Sequence, residues 1–189
     1  LEKLKQPSVY GLLVHRVDDL LKPGGDRLYD AMASLKRRGL VTKIGFSAYT
    51  PEQVECATAL FHFDMIQAPV NVLDQRLLMG GHLARLKTQG IEIHARSVFL
   101  QGLLLMEPEA TPPYFAPIRH RLQDWRAVAT QHGLTPLEAA LGFVLGLKDV
   151  DVVLCGVNDV AQLGEIIHAA NAVVAPEWFS DLPIRETAF

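Results

Sequence analysis

Cysteine is scarce: Cys56 and Cys155 are the two in 189 residues, far apart and in no metal or redox spacing. That is the pattern of reduced core thiols rather than of a disulfide framework, and it points to the cytoplasm. A surplus of positive charge is also missing. Eighteen Lys and Arg against twenty-one Asp and Glu leave a formal charge of −3, so no nucleic-acid partner is expected. No apolar run reaches the roughly 20 residues that a membrane helix needs, and no signal peptide opens the chain, so no membrane partner is expected either. No Gly-x-Gly-x-x-Gly follows an apolar run, so the fingerprint of the open dinucleotide-binding sheet is absent. What is present is a large apolar fraction, 49%, enough to exclude a disordered chain and to bury one substantial core. The chain opens on Leu1 rather than Met, in what reads as the tail of a helix, and is expected to be a piece of something longer.

Short apolar runs alternate with amphipathic stretches. Val9-Tyr10-Gly11-Leu12-Leu13-Val14 is too short and too uniformly apolar for a surface helix and predicts a buried strand. Similar runs predict strands over 42–47, 65–68, 91–97 and 152–155. Helices are predicted over 27–38, from 51 onward, through Leu83 and Leu86, over 118–131, 135–147 and 160–170, with a last turn at 176–179. Their start signals are explicit. Thr50-Pro51-Glu52-Gln53 and Thr135-Pro136-Leu137-Glu138 each supply an N-cap, a proline at the first helical position and a capping-box residue three places on. About five strands, each followed by a helix, predict a parallel α/β sheet. The polar residues His15, Ser47, Gln67, Ser97 and Asn158 sit at or just beyond C-terminal strand ends, where a (β/α)8 barrel builds its active site. Eight units need roughly 250 residues; about five fit here, so the expectation is an incomplete barrel occupying residues 1–189 as a single partial domain.

Read singly, these residues are ordinary. His15 ends an apolar strand and suits a role at a substrate oxygen, or is simply a polar residue at a strand edge. Ser47, Gln67 and Ser97 offer hydroxyl and amide groups suited to a carboxamide or phosphate. His62 falls at a helix end and His94 inside a strand, with no carboxylate spaced to complete a cluster, so no metal is expected. Residues 99–106 are unusually apolar for a loop: either core, which would need a helix that Gly102 opposes, or a loop folding over a flat ligand. The turn from Gly156 to Gln162 offers backbone N–H groups and a helix N-terminus as a phosphate seat, with Asp159 as the helix cap.

Five segments in register resemble the aldo-keto reductase family: Leu12-Leu13-Val14-His15-Arg16, Gly45-Phe46-Ser47, Ile66-Gln67-Ala68-Pro69-Val70-Asn71, the run from Ala95 to Leu103, and Cys155-Gly156 followed by Gln162-Leu163-Gly164-Glu165. The resemblance covers nearly the whole chain. It implies a (β/α)8 TIM barrel and an NAD(P)H-dependent oxidoreductase that reduces a small-molecule carbonyl, an aldehyde or ketone, to an alcohol. The implied cofactor is NADP, with NAD possible. By resemblance, His15 is the catalytic histidine that orients the carbonyl, and Ser47 and Gln67 hold the nicotinamide carboxamide. Ser97, Phe99, Gln101 and Gly102 resemble the loop on the pyrophosphate, while Gly156, Asn158, Gln162 and Glu165 stand at the adenosine end.

The chain also departs from the family. Ala48 replaces an asparagine, Arg96 stands where a tyrosine often stacks on the nicotinamide, and the last helix starts without a basic residue for a 2′-phosphate. The family's aspartate, tyrosine and lysine come from strands before the histidine, and neither Tyr10 nor Tyr49 matches that tyrosine. The resemblance therefore implies that these residues alone lack a proton donor. Two other readings stay open: an inactive, truncated member acting in interaction or regulation, and a different barrel enzyme pairing His15 with Asp18 or Asp74. An incomplete barrel leaves two open strand edges, which predicts edge-to-edge self-association.

Overall fold

The strands pair in the order in which the sequence presents them. In the computed structural model, which describes residues 1–183, β1 (Val9–Val14), β2 (Val41–Ser47), β3 (Met65–Pro69), β4 (Glu92–Arg96) and β5 (Val152–Val153) form one sheet in the order β1-β2-β3-β4-β5. The ladders from β1 to β2 and from β2 to β3 are parallel. The connections carry α1 (Asp18–Leu21), α2 (Gly25–Arg37), α3 (Pro51–Leu60), α4 (Arg76–Met79), α5 (His82–Thr88), α6 (Arg119–Gln131) and α7 (Pro136–Leu145), and α8 (Val160–Ala169) follows β5. A doubly wound sheet reverses its order at a switch point; this order never reverses, which is the winding of a barrel.

The described residues divide into two compact units, one of residues Leu1–Ala68 and Leu77–His94, the other of Pro69–Arg76 and 95–183. In the first, the β2–β3 register sets two faces. Ser47 pairs with Gln67 and Gly45 with Met65, while Phe46 pairs with Ile66 on the alternate positions. Phe46 meets Phe63 at 4.7 Å between ring centroids, and Tyr29 stacks on Phe61 at 4.7 Å, giving an aromatic cluster under α2. The other face needs a glycine at 45, because a Cβ there would lie 2.1 Å from the Met65 carbonyl oxygen. The predicted start of α3 forms: the Thr50 hydroxyl accepts from the Gln53 N–H at 3.3 Å. Gln53 reaches one residue further back than a standard capping box, accepting from the Tyr49 N–H at 2.8 Å.

The second unit is built around Trp125, Phe143 and Phe179, all fully buried. The Trp125 indole N–H donates to the Leu104 carbonyl at 3.1 Å, so the polar edge of this ring is satisfied as burial requires. The buried Gln75 amide donates to the carbonyls of Val72 and Phe179, each at 2.8 Å. At the start of α7 the full capping box is present, Thr135 and Glu138 each bonding the other's backbone N–H. β5 is shorter than the predicted 152–155. Leu154 still donates its N–H to the Ala95 carbonyl at 2.8 Å, but Cys155 has already left the ladder. The 99–106 run meets the core expectation in part. It is a 3-10 helix over Leu100–Leu105, broken by left-handed backbone at Gln101 (φ 56°) and Gly102 (φ 91°). Leu103 and Leu104 enter the core while Leu105 stays exposed, so one segment serves core and surface together.

Candidate functional site

In the first unit, His15 follows the last residue of β1 and is exposed. Ser47 closes β2 and is 5% exposed; its register partner Gln67 is half-buried, and the Gln67 carbonyl accepts the Ala48 N–H at 3.0 Å. His15 and Ser47 sit at the C-terminal ends of β1 and β2, whereas Gln67 is the middle residue of β3, which runs on to Pro69; Ser47 shares a sheet face with Gly45 and Lys43 by strand alternation.

Nearer the N-terminal ends of the strands lies a charged group that sequence reading did not find. Glu92 accepts from the Tyr10 hydroxyl at 2.6 Å, lies 2.5 Å from the His94 Nε2, and is hydrogen-bonded to Lys43. Burial of Glu92 works to raise its pKa, but hydrogen bonds from His94, Lys43 and Tyr10 overcome it and hold the carboxyl at about 2. Lys43 is raised above its usual range, first by its hydrogen bond to Glu92 and then by Tyr10, whose ring centroid it approaches at 5.2 Å. Both groups are charged near neutral pH. Tyr10 and Glu92 are 82 residues apart, and no local motif announces the pairing.

In the second unit a cleft of about 670 Å³ brings together Ser97, Phe99, Gln101, Gly102, Gly156, Asn158, Gln162 and Glu165. Two loops and α8 supply them. The first loop is held by the fully buried Asn71, which the sequence reading quotes in a family segment but gives no role. Its amide donates to the Ser97 carbonyl at 3.2 Å, and its Oδ1 accepts from the N–H groups of Leu73 and Asp74 at 3.0 and 2.9 Å. Ser97, Leu100 and Gln101 all take positive φ, 58°, 46° and 56°. A left-handed non-glycine residue costs roughly 1–2 kcal/mol, so this wall of the cleft holds strained backbone of the kind that gathers at functional sites.

The second wall is the turn into α8. Asp159 caps the helix, accepting from the Gln162 N–H at 2.8 Å, and the Gln162 side chain accepts from the Asn158 N–H at 3.0 Å. These two amides, expected to be open to a phosphate, are already satisfied by the protein. Leu105, Leu137, Leu154 and Ile166 add an apolar lining, and Cys155 borders it with its thiol pKa raised by burial.

Arg96 does not line the cleft; its Nη1 donates to the Ser97 hydroxyl at 3.1 Å. The carboxylates suggested as partners for His15 are otherwise engaged. Asp18 accepts from Gln53 at 3.0 Å, and Asp74 forms a two-pronged pair with Arg76 at 2.8 Å. Among the described residues, no group of three or more His, Cys, Asp or Glu side chains is placed to hold a metal ion, and no helix is long and apolar enough to cross a membrane.

The family model described as "Aldo/keto reductase family" matches residues 1–183. No curated protein matches the sequence. Among solved structures, the aldo-keto reductase AKR11C1 from Bacillus halodurans is similar in its holo form at 19% identity and a TM-score of 0.80, over 98% of this chain and 65% of that one. Its apo form gives 20% identity and 0.79, over 98% and 66%. The glycerol dehydrogenase AKR11B4 from Gluconobacter oxydans gives 19% identity and 0.73, over 94% and 58%. At these identities the likeness is one of fold: the parallel α/β winding is that of the barrel in these reductases. The chain spans less than two thirds of the length of the Bacillus halodurans protein in its holo form.

Proposed function

The chain belongs to the aldo/keto reductase family, and from that premise we propose that it works in a nicotinamide-dependent oxidoreductase that reduces aldehydes or ketones to alcohols. Residues 1–189 are read as part of one barrel domain. The observation that carries the reading is the cleft of the second unit, where residues from the loop after β4, the turn after β5 and α8 line one space of about 670 Å³.

The lining suits a long ligand of mixed polarity, as small-molecule sites do when an apolar wall carries a few oriented polar groups. Ser97, Phe99, Gln101 and Gly102 are assigned to the pyrophosphate. Gly156, Asn158, Gln162 and Glu165 are assigned to the adenosine, with Leu137 and Ile166 as apolar cover. Ser47 and Gln67 are assigned to the carboxamide. Arg96 is assigned to the nicotinamide face, which a planar guanidinium can cover. The cofactor is a nicotinamide dinucleotide, NADP by the family resemblance or NAD; when bound it supplies the hydride.

His15, exposed beyond β1, is assigned to the carbonyl oxygen. There an imidazole N–H donates a hydrogen bond, orients the carbonyl and stabilises the charge that develops on oxygen. Tyr10 is not offered as a proton donor, since it lies toward the other end of β1 and its hydroxyl donates to Glu92.

Binding tests this reading. Titration of the protein with reduced nicotinamide dinucleotides, followed by nicotinamide fluorescence, is expected to saturate. Residues 1–189 alone, which lack the family's proton donor, are expected to bind without reducing a carbonyl; in a whole barrel that carries the family's tyrosine and lysine, His15→Ala should leave binding intact while removing carbonyl reduction. A protein that binds neither dinucleotide overturns the reading.

A further inference from the structure

The connection that carries Asn71 lies where connections seldom lie. Residues 70–75, between the end of β3 and the start of α4, are all buried. Loops ordinarily run over the surface, because a buried one brings backbone polar groups that must find partners inside the protein. Here two side-chain amides supply partners. Asn71 turns the chain by accepting on Oδ1 from the Leu73 and Asp74 N–H groups, and its own N–H donates to the Asp74 carbonyl at 3.2 Å. Gln75 donates its amide to the carbonyls of Val72 and Phe179. The Val70 N–H donates to the Arg96 carbonyl at 3.2 Å, which ties the loop to the end of β4.

The amide nitrogen of Asn71 acts outside its own turn. It donates to the Ser97 carbonyl at 3.2 Å, and the same carbonyl accepts the Leu100 N–H at 3.0 Å. Ser97 and Leu100, the two ends of that turn, are both left-handed, as is Gln101. The carbonyl on which the strained turn closes is therefore anchored by a side chain with no exposed surface. Phe99, Gln101 and Gly102, which line the cleft, belong to that turn or follow it. Strain of this kind persists only where the surroundings over-determine it, and a site gains affinity when its shape is fixed before the ligand arrives. We propose that Asn71 is a positioning residue for the cleft: its amide, reaching across from the loop after β3, holds residues 97–102 in the shape that receives the ligand. Asn71 is not among the residues lining the cleft, so it acts through the turn alone. This rests on the reading of the cleft as the dinucleotide site. Gln75 supplies an internal comparison, a buried amide of the same loop whose distant partner is Phe179 rather than the cleft turn.

The test compares wild type with Asn71→Ser, Asn71→Asp and Gln75→Met. Serine can still accept from the N–H groups of the turn but is too short to reach Ser97; aspartate keeps the size and the acceptor and loses the donor. Titration with NADH and with NADPH, followed by nicotinamide fluorescence, reads binding, and thermal unfolding reads stability. Hydrogen exchange of the Leu100 and Gly102 amides without ligand reads the order of the turn. In unliganded wild type these amides are expected to exchange slowly; free exchange that slows only when dinucleotide is added overturns the proposal, whatever the variants do. Both Asn71 variants should speed that exchange and weaken dinucleotide binding about tenfold, as when the competent turn falls to roughly a tenth of the molecules. Gln75→Met should lower the unfolding temperature at least as much and leave binding unchanged. Folded Asn71 variants that bind as wild type does overturn this inference and leave the dinucleotide site standing. So does equal weakening by Gln75→Met, which would trace the effect to lost stability. Failure of wild type to bind either dinucleotide overturns the reading of the site and this inference with it.

Discussion

In the unit of residues 1–68 and 77–94, a charged group ties strands together: Lys43 on β2 meets Glu92 on β4, with Tyr10 of β1 and His94 completing the group. In the unit of residues 69–76 and 95–183, the corresponding work falls to rings. Trp125 lies 5.6 Å from Phe179, and Phe179 lies 5.8 Å from Phe143. The difference is one of physical origin. Ring burial is indifferent to pH across the ordinary range, whereas a carboxylate held at about 2 makes its unit's stability a function of proton concentration. The two units should therefore answer acid and core truncation differently.

The largest effect is expected in the ring-built unit. Trp125→Ala removes a fully buried side chain and strands the Leu104 carbonyl, and should cost about 3–5 kcal/mol. Urea unfolding should show the loss equally at neutral and mildly acidic pH. A loss below about 1 kcal/mol would mean that the site collapses around the vacancy and that the rings do not hold this unit.

Glu92→Gln is the matching change in the charged unit. It leaves Lys43 without its counter-charge, and roughly 2–3 kcal/mol should be lost at neutral pH. The sign of the pH dependence follows from the direction of the shift. The folded-state pKa of Glu92 is depressed from 4.5 to about 2, so its contribution is complete above about 4.5 and disappears as pH falls toward 2. Lys43 is shifted upward from 10.5, so its contribution holds below that value and is lost only in strong alkali. Both tryptophans, Trp125 and Trp178, lie in the other unit, which separates the readouts. Amide protection in β1 and β2 should fall in acid before tryptophan fluorescence changes, and Glu92→Gln should abolish that early loss. Simultaneous loss of both signals in wild type would break the comparison.

Sequence made some of this legible and hid the rest for identifiable reasons. The strand runs and the caps at Thr50, Thr135 and Asp159 are local devices, complete within four residues, and each forms. β5 was drawn two residues too long because Leu154 and Cys155 are as apolar as the residues before them, and only pairing decides where a ladder stops. The broken 3-10 turn was illegible because its left-handed residues include Ser97, Leu100 and Gln101, which carry no glycine signal. The roles of Asn71 and Glu92 are not legible in the sequence because their partners come from elsewhere in the chain, Ser97 26 residues on and Tyr10 82 residues back. At the cleft, the polar loop residues were legible from strand ends and family resemblance. Leu137, reaching the same space from α7, was not.

The smallest effect is also the sharpest contrast with Glu92. Asp159 caps α8 through one oxygen on the Gln162 N–H, and that bond needs an acceptor rather than a charge. Asn supplies the same oxygen with nearly the same cap preference. Asp159→Asn should therefore cost only the charge's interaction with the helix dipole, a few tenths of a kcal/mol, while Asp159→Ala, with no acceptor, should cost about 1 kcal/mol. Thermal unfolding of the three proteins side by side resolves the difference. Carboxylate-to-amide exchange would then be nearly silent at Asp159 and damaging at Glu92, which isolates charge, rather than hydrogen bonding alone, as what the Glu92 group adds to the first unit beside its ring cluster. Equal losses from Asp159→Asn and Asp159→Ala would show that charge matters at the helix cap as well, and the contrast between the cap and the Glu92 group would be lost.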